Sequence, residues 1–574
     1  MDRKGLAAAA GEGIYPNEQS LLRDPAYRAA LEANQLTGSV WDFTNHPNVA
    51  LSFLKWADSS QESLGVKQFF TAMALERAGL LAHALKAYYA ILVHVPDAVG
   101  WTEFQTPWYV GAVARDKIEA MLRLHPELGL RLDGAKVTVE HGFDNDADND
   151  VVMPSPGRLV RVPPESVNPP PVDLSQIGVA REIGKGRVRL RQYANGHWQL
   201  LVDGTPWVIH GISYSIAAVG ESHDEGTYQD WMTADRNHNG MLDVFDTFVD
   251  ANHNNRQDAD EPVVGDFQLL KEMGANTLRL YHHASDKTVL RQLYDRYGMM
   301  VLMGDLVGMY TVGSGATWEE GTNYLDPAQR KRMTQSVKEM VRQFKNEPYI
   351  LMWVLGNENN YGGEHGIVGG KGNAAQYPDA FYRFLNELAE WIHKEDPNHP
   401  VAIANGEWIF LDLMARDAPA IDVFGANLYR GSHGFGRSFF EAVHRVLDKP
   451  VFVSEFGCPA YQANASQEIG ELGKMLYHFG NWVDLEDNMA GRGVGNAIGG
   501  VVFEWVDEWW KAGQPPRFSS STQETTGDWS GPFPGGKMYE EWLGIVGQGD
   551  GRLSPYLRQL RKTYELYKQL WNNP

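Results

Sequence analysis

The sequence predicts an α/β protein: a (β/α)8 TIM barrel preceded by an α-helical N-terminal domain. From about residue 200 onward, short apolar runs typical of strands buried on both faces alternate with amphipathic helical segments. This alternation predicts parallel strands joined by right-handed crossovers, and eight such units predict a closed barrel. Polar side chains follow nearly every strand, which a doubly wound sheet does not predict.

The N-terminal part of the chain, residues 1–153, has a different pattern. Between about residues 49 and 128, apolar residues recur with a helical period. Small and aromatic residues from Ala72 to Pro96 have the spacing of a single tetratricopeptide-type helical hairpin. Two interpretations stay open, a helical domain packed on the barrel and a surface that docks a protein partner.

The remaining segments follow in order. Residues 154–186 are rich in proline and predict an extended linker, and residues 187–574 contain the barrel. The pair Asn195 and Gly196 between two alternating runs predicts a hairpin ahead of the first barrel strand. The predicted strands are 207–214, 276–282, 299–305, 349–358, 400–405, 421–429, 451–456 and 497–505. The predicted helices are 265–273, 286–297, 327–344, 379–394, 411–415, 439–447, 466–485 and 555–570.

Composition limits the class of ligand. The formal net charge of −22 argues against a nucleic-acid or anionic-membrane binder, so a neutral or basic ligand is expected. No apolar run reaches the ~18 to 20 residues of a membrane span. Cys458 is the single cysteine, which excludes an intramolecular disulfide. Residues 1–13 lack the apolar core of a signal peptide, so the chain is either cytoplasmic or exported with its signal absent from this sequence.

Two glutamates stand at equivalent places. The runs YILMWVLGNE and PVFVSEFG bring Glu358 and Glu455 to the C-terminal ends of the fourth and seventh predicted strands. These ends meet at one rim of a barrel, the rim that carries the site. Two facing carboxyl groups are what glycoside hydrolysis requires, at ~5 to 5.5 Å in retaining enzymes. The other polar or aromatic residues at strand ends are Arg279, His282, Asp305, Asn357, Asn427, Tyr429, Glu504 and Trp505.

The motifs WVLGNE and FVSEFG resemble the acid/base and nucleophile motifs of retaining glycoside hydrolases with (β/α)8 barrels. Within this superfamily, clan A, the resemblance is closest to family 2, the family of β-galactosidases, β-glucuronidases and β-mannosidases. Further matches are VDGTPWVIHGISY, LLKEMGANTLRLYHHA and GGVVFEWVDEWW, and the resemblance covers roughly residues 200–570. Family 2 enzymes usually carry β-sandwich domains ahead of the barrel. A helical domain stands there in this chain, which leaves the substrate open.

The resemblance and the chemistry of the residues together imply roles for the site. Glu455 is expected to be the nucleophile and Glu358 the general acid and later the base. Arg279 and Tyr429 are expected to keep Glu455 ionised and oriented, and Asn357 to bind the sugar 2-hydroxyl. Trp505 is expected to form a platform under the sugar. The other predicted substrate contacts are His282, Asp305, Asn427 and Glu504.

An insertion after the first barrel strand carries two loops with the spacing of calcium ligands. Residues 235–246 and 250–261 place oxygen donors at positions 1, 3, 5, 7, 9 and 12 of such loops. Only residues 247–249 separate them, too few for a pair of complete EF-hands, so they resemble dockerin-type or thrombospondin-type loops. A solvated acidic loop is the alternative. The predicted structural calcium ligands are Asp235, Asn237, Asn239, Met241, Asp243, Asp246, Asp250, Asn252, Asn254, Arg256, Asp258 and Glu261, with Met241 and Arg256 acting through their carbonyls.

Three functions are compatible with this sequence. The first is retaining hydrolysis of a β-linked oligosaccharide or polysaccharide. The second is transglycosylation of a β-glycan by the same two glutamates, with the helical domain docking a partner. The third is a carbohydrate-binding scaffold without catalysis. No organic cofactor is expected, and a calcium site would favour a periplasmic or secreted location, since weak calcium sites fill outside the cell.

Overall fold

A computed structural model describes residues 62–77, 79–101, 107–140, 151–361, 371–511, 519–527, 529 and 531–572. The chain divides into two compact units. The first comprises residues 1–172 with 430–445 and 529–538, and the second comprises the remainder. In the described part of the chain, no helix combines the length and the apolar character needed to cross a bilayer.

The second unit contains a closed barrel of eight parallel strands, as predicted. Each strand is a short, almost wholly apolar run buried on both faces, because helices cover the barrel outside and side chains fill it inside. The strands are β11 (Ile209–Ser213), β13 (Thr277–Leu280), β14 (Met300–Asp305), β15 (Ile350–Leu355), β16 (Val401–Gly406), β17 (Val423–Asn427), β18 (Val451–Phe456) and β19 (Ala497–Val502).

Helices follow the strands at nearly the predicted places. The longer ones have clear start signals: the side chain of Asp326 caps the helix that begins at Pro327, and that of Ser466 caps the helix that begins at Gln467. In order of the chain they are α4 (Asp266–Met273), α5 (Thr288–Tyr297), α6 (Pro327–Phe344), α7 (Pro378–Glu395), α8 (Leu411–Asp417), α9 (Arg437–Leu447), α10 (Gln467–Glu486) and α11 (Lys562–Asn572).

The last predicted helix begins later than expected. Residues Leu557–Leu560 form a strand, β21, which pairs with β12 (Phe248–Val249) and β20 (Val546–Gly547). These residues form a strand and not the predicted helix because the strand places Arg558 against the start of α4. Both Arg558 and Asp266 are fully buried, and their side chains make two hydrogen bonds of 2.9 Å.

A small antiparallel sheet precedes the barrel. It contains β7 (Val179–Ile183), β8 (Val188–Tyr193), β9 (Trp198–Val202) and β10 (Thr205–Pro206), with β8 and β9 joined by the predicted hairpin. Side chains from β8 and β9, such as Trp198, share one apolar cluster with early residues of the barrel strands, such as Ile209 and Met300. The sheet therefore closes the end of the barrel at which the strands begin.

Between residues 62 and 140, the described part of the first unit contains the helices α1 (Leu64–Arg77), α2 (Leu81–His94) and α3 (Val110–Leu124), which bury a common apolar cluster around Phe70 and Tyr88. The prediction of helices alone is incomplete, because two-stranded sheets are also present. Their strands are β1 (Val99–Trp101), β2 (Pro107–Tyr109), β3 (Leu130–Asp133), β4 (Lys136–Glu140), β5 (Val151–Ser155) and β6 (Arg158–Arg161). The predicted linker, residues 154–186, also contains strand residues from β5, β6 and β7. Strand pairing gives hydrogen-bond partners to the backbone N–H and C=O groups between the prolines.

The buried pair of Arg558 and Asp266 yields a stability prediction. Replacing Arg558 by Ala leaves the Asp266 carboxylate buried with Tyr214 as its side-chain donor, so the free energy of unfolding should fall by about 3–5 kcal/mol. Urea denaturation followed by circular dichroism measures this change. Arg552→Ala is the control, because Arg552 is 86% exposed, and it should stay within about 0.5 kcal/mol of the wild type. Equal effects of the two substitutions would contradict the assignment.

Candidate active site

The C-terminal ends of the barrel strands bring the predicted residues together. Arg279, Asn427 and Glu455 lie in the last residues of β13, β17 and β18, while Glu358 and Tyr429 follow β15 and β17 directly. Because all eight strands are parallel, these ends share one rim. The side chains are close enough to form one hydrogen-bonded network.

Glu455 is surrounded by donors. One guanidinium nitrogen of Arg279 donates to Oε1 at 3.1 Å, and the Tyr281 hydroxyl donates to the same oxygen at 2.6 Å. The Tyr429 hydroxyl donates to Oε2 at 3.0 Å. Burial, together with the negative charge of Glu455, raises the pKa of both tyrosines well above the usual value, so they remain donors. Three donors, one of them cationic, favour the ionised form of Glu455 and fix its direction.

Glu358 is in the opposite electrostatic situation. Its side chain accepts a hydrogen bond of 2.9 Å from the Asn427 amide. Burial raises the pKa of Glu358 to about 8, and the negative charge of Glu455 contributes in the same direction. A carboxyl group with this pKa keeps its proton at neutral pH. The two glutamates therefore differ in protonation, which is the division of roles that acid catalysis beside a nucleophile needs.

Amide groups join the two carboxyls. The second guanidinium nitrogen of Arg279 donates to the Asn357 Oδ1 at 2.7 Å, and the Asn427 amide donates to the same oxygen at 3.1 Å. The Ser454 hydroxyl donates to the Asn427 Oδ1 at 2.7 Å, which fixes the orientation of that amide. The Glu358 backbone has a φ of 55°, in the left-handed region, and its N–H donates to the Ala404 carbonyl. This conformation turns the chain sharply at the point where β15 ends.

Tyr281 is a site residue that the sequence analysis missed. It follows Arg279 by two residues, and side chains two apart on a strand point to the same side. That spacing could have indicated it, but Tyr281 lies just beyond the end of β13 and the prediction took His282 instead. His282 lies exposed at the rim. It contacts neither glutamate among the hydrogen bonds of the described residues.

The predicted sugar platform at Trp505 is wrong. Trp505 is fully buried (0% exposed) beside Tyr564 of α11, so its indole has no face for a sugar. The neighbouring Phe503 is the aromatic residue on the Tyr281 side, with the two ring centroids 6.4 Å apart. Because β19 ends at Val502, the alternation of side chains could not be extended from the strand to Trp505.

Asp305 also differs from expectation, while the predicted contact of Glu504 with a sugar hydroxyl stays a prediction. One oxygen of Asp305 accepts from the Val307 N–H and the other from the Ser336 hydroxyl, at 2.9 and 2.6 Å. Asp305 therefore anchors the loop after β14 and is not a hydroxyl ligand in this structure. The Glu504 carboxyl is almost fully buried, and burial together with the nearby Glu508 raises its pKa well above the usual value.

The two calcium-type loops share one backbone conformation. In each loop the aspartate at position 1 accepts from the backbone N–H groups of positions 5 and 6: Asp235 at 3.0 and 2.9 Å, and Asp250 at 3.0 and 2.9 Å. Position 6 has a positive φ in both, 85° at Gly240 and 59° at Asn255. Asparagine tolerates this conformation, which explains why the second loop can lack the usual glycine.

The remaining predicted ligands divide into two groups. Asp246 in the first loop and Asp258 in the second each face two asparagine side chains, those at positions 3 and 5. Asp243 is instead bound by Arg236 and Tyr556, and Glu261 accepts the backbone N–H groups of Ala251 and Asp258. The described residues contain no group of three or more His, Cys, Asp or Glu arranged for a metal. A cation here would therefore need amide and carbonyl oxygens, which calcium accepts.

A parallel eight-stranded barrel with two glutamates on one hydrogen-bonded network at its rim is the arrangement found in glycoside hydrolases that use two carboxyl groups. Residues 247–458 match the family model described as glycosyl hydrolases family 2, TIM barrel domain, and the match contains both glutamates. The predicted resemblance to the family 2 barrel hydrolases of clan A is confirmed for residues 247–458, the part of the chain that the family model matches.

The chain is similar to several named β-glycosidases. It is 28% identical over 208 residues to the β-glucuronidase of Mus musculus, covering 34% of this chain and 28% of that protein. It is 24% identical over 262 residues to the β-galactosidase of Lactococcus lactis, covering 44% of this chain and 21% of that protein. The chain thus spans about a quarter of the length of these relatives. Among solved structures, the β-glucuronidase of Dictyoglomus thermophilum aligns at 16% identity and a TM-score of 0.42 over 78% of this chain and 69% of that one.

The raised pKa of Glu358 is directly measurable. In protein with ¹³C-labelled glutamate carboxyls, the resonance that disappears in Glu358→Gln should titrate at a pH of about 8. In Glu455→Gln the same resonance should titrate at lower pH, because a negative charge that disfavours ionisation of Glu358 has been removed. An unchanged titration of this resonance in Glu455→Gln would show that the charge of Glu455 does not act on Glu358.

Proposed function

We propose that the protein is a retaining β-glycoside hydrolase acting on a β-linked oligosaccharide or polysaccharide. The observation that carries this proposal is the pairing of Glu455, held ionised by three donors, with Glu358, held protonated on the same network. The relatives named above are β-glucuronidases and β-galactosidases, which supports the β-glycosidic bond as the bond that is cleaved.

The first chemical step forms a covalent intermediate. A carboxylate oxygen of Glu455 attacks the anomeric carbon, the bond from that carbon to the glycosidic oxygen breaks, and Glu358 gives its proton to the departing oxygen. The products are a glycosyl ester on Glu455 and a free hydroxyl on the leaving sugar. Arg279, Tyr281 and Tyr429 orient the attacking carboxylate, because each donates a hydrogen bond to it.

The second step returns both glutamates to their starting states. Once Glu455 carries the sugar it has no negative charge, so the pKa of Glu358 falls and its carboxylate becomes a base. Glu358 removes a proton from water, the water oxygen attacks the anomeric carbon, and the ester bond to Glu455 breaks. Asn357 is our candidate for the 2-hydroxyl contact, and His282 for a further hydroxyl contact at the rim.

Transfer to a sugar hydroxyl in place of water is the second candidate function. It needs the same two residues and an acceptor bound next to Glu358. The exposed ring of Tyr310, on the loop after β14, supports such a binding place. Product lengths at high acceptor concentration distinguish the two functions, since only a transferase makes longer chains in preference to hydrolysing them.

A structural role for calcium is part of the same proposal. Asp235, Asp246, Asp250 and Asp258 with their partner asparagines and the carbonyls of Met241 and Arg256 would hold the ions, which supply charge to neutralise the acidic loops. Weak calcium sites fill at extracellular concentrations, so we propose a periplasmic or secreted location. A protein partner for the N-terminal helical domain stays a prediction.

Loss of either glutamate should abolish turnover. Glu455→Ala and Glu358→Ala should each lower the rate on β-glycosides by at least about 10³-fold, because the nucleophile or the proton donor is missing. With an aryl glycoside, whose leaving group needs no proton, Glu358→Ala should accumulate a glycosyl adduct visible by intact mass. Glu387→Ala, on the exposed side of α7, is the control and should behave as wild type. Wild-type turnover in either site variant would refute the mechanism.

Calcium should stabilise the fold through the two loops. Thermal unfolding in 1 mM calcium should occur at a higher temperature than in a chelator, because binding to the folded state alone stabilises it by about 2.7 kcal/mol at a hundredfold excess over Kd. The double variant Asp235→Ala with Asp250→Ala should lose this difference. Magnesium is the control cation, since it prefers a rigid octahedral site. An unchanged wild-type melting temperature would leave the loops as solvated acidic segments.

A further inference from the structure

Two loops at the rim form one continuous wall. The first is residues 307–325, between β14 and α6, and the second is residues 371–377, which lead into α7. Thr322 and the second loop exchange backbone hydrogen bonds, from Thr322 N–H to Lys371 O at 2.7 Å and from Asn373 N–H to Thr322 O at 3.0 Å. The Asn373 side chain also accepts from the Tyr324 N–H. We call these two loops the β14 wall.

The β14 wall is attached to the strand end that carries Glu358. Asn359, the next residue in the chain, donates from its side-chain amide to the Val307 carbonyl at 3.1 Å and to the Tyr324 hydroxyl at 2.8 Å. Tyr324 in turn donates to the Val307 carbonyl at 2.8 Å. These groups are buried, so the start of the wall has a fixed position relative to the general acid.

The wall also holds an unusual backbone. Val307, Tyr310 and Thr311 have φ values of 44°, 52° and 64°, and for β-branched residues this region is strongly disfavoured. Such conformations cost of order 1–3 kcal/mol each and persist only where the surroundings impose them. Here the Thr322 hydroxyl donates to the Gly308 carbonyl at 2.6 Å, and Arg332 of α6 donates to the carbonyls of the loop tip. The wall is therefore a rigid support and not an adaptable loop.

Two aromatic side chains stand exposed on this support. Tyr310 is 40% exposed and Trp318 is 51% exposed. Tyr310 follows Val307 by three residues, and the Val307 carbonyl is bound by Asn359, the neighbour of Glu358. Tyr310 is therefore held close to the strand end that carries Glu358. The Lys371 ammonium lies 5.2 Å from the Trp318 ring, which limits the orientations of the indole.

We propose that Tyr310 and Trp318 are successive binding places for the part of a neutral β-glycan that leaves from, or is accepted by, the reaction centre. This rests on the proposed function, in which Glu358 protonates the leaving sugar and activates the acceptor, so that the surface beside Glu358 must contact that sugar. Flat aromatic faces bind the apolar faces of pyranose rings, and a rigid support lowers the entropic cost of binding. The adjacent exposed residues Glu319 and Glu320 are acidic and disfavour a polyanionic glycan.

The assignment has a consequence for the choice of reaction. A chain held on Tyr310 and Trp318 places its terminal hydroxyl next to Glu358 in competition with water, because the bound acceptor has a high effective concentration. The β14 wall would therefore set the ratio of transfer to hydrolysis, while the two glutamates set the rate of both.

The experiment compares acceptors on a preformed intermediate. The enzyme is supplied with an aryl β-glycoside that it turns over, together with neutral β-linked acceptors of one to four sugars, and the ratio of transfer to hydrolysis products is read by mass spectrometry. Wild-type enzyme should show a ratio that rises with acceptor length. Trp318→Ala should lower the ratio for the longer acceptors about fivefold, and Trp318→Phe, which keeps a flat face, should lie between them.

A matched control separates loss of the site from general damage. Phe479→Ala removes an aromatic ring that is 42% exposed on α10, an outer helix of the barrel, and should keep the wild-type ratio at every acceptor length. Equal ratios in Trp318→Ala and wild type would overturn the proposal, as would a wild-type ratio that does not depend on acceptor length. In both cases release of the aryl group would still report the glutamate mechanism. Absence of aryl release in wild type on all β-glycosides would instead overturn the proposed function.

Discussion

The buried guanidinium of Arg279 is the interaction on which the rest of the site depends. It donates to Glu455 on one side and to Asn357 on the other, and it is almost wholly removed from solvent. A buried charge is stable only when paired and hydrogen-bonded, so Arg279 and the ionised Glu455 require one another. Because Arg279 pairs with Glu455, Glu455 can stay ionised while Glu358, on the same network, is the protonated carboxyl of the two. Three different strands supply the partners, and they meet only because the barrel is closed and in register.

The two ends of the barrel have different roles. Where the strands begin, the β7–β10 sheet joins its apolar side chains to those of the barrel, and this end contributes stability. Where the strands end, residues such as Glu358 and Val307 adopt left-handed conformations that cost free energy. The packing where the strands begin and the hydrogen bonds around the strand ends offset the free-energy cost of these left-handed conformations. The acidic loops that precede α4 belong to the same unit and are tied to β21 by the hydrogen bond from Gln559 to Asp250.

The β14 wall shows how a buried polar residue can act at a distance. Asp305 was expected to touch the substrate, but one of its oxygens accepts from Val307 at the start of the wall and the other from Ser336 of α6. Any effect of Asp305 on a bound sugar would pass through the wall, which carries the exposed rings of Tyr310 and Trp318. An aspartate at the end of a strand can contact the substrate directly, or it can support a loop that carries an exposed aromatic ring. The sequence pattern is the same in the two cases.

The sequence by itself determined the eight strands, the helices between them and the two glutamates with Arg279, because these depend on local periodicity and on which residues follow a buried strand. Only the tertiary structure decided which way the side chains near the strand ends point. Tyr281 turns to Glu455 and Trp505 turns to Tyr564, and both come after the last residue of their strands, where the sequence period no longer predicts the direction of a side chain. The strand at Leu557–Leu560 likewise formed because a distant partner, β12, and the buried Asp266 were available. The protonation of Glu358 was decided in the same way, because its pKa depends on burial and on a charge 97 residues away in the chain (455 − 358 = 97).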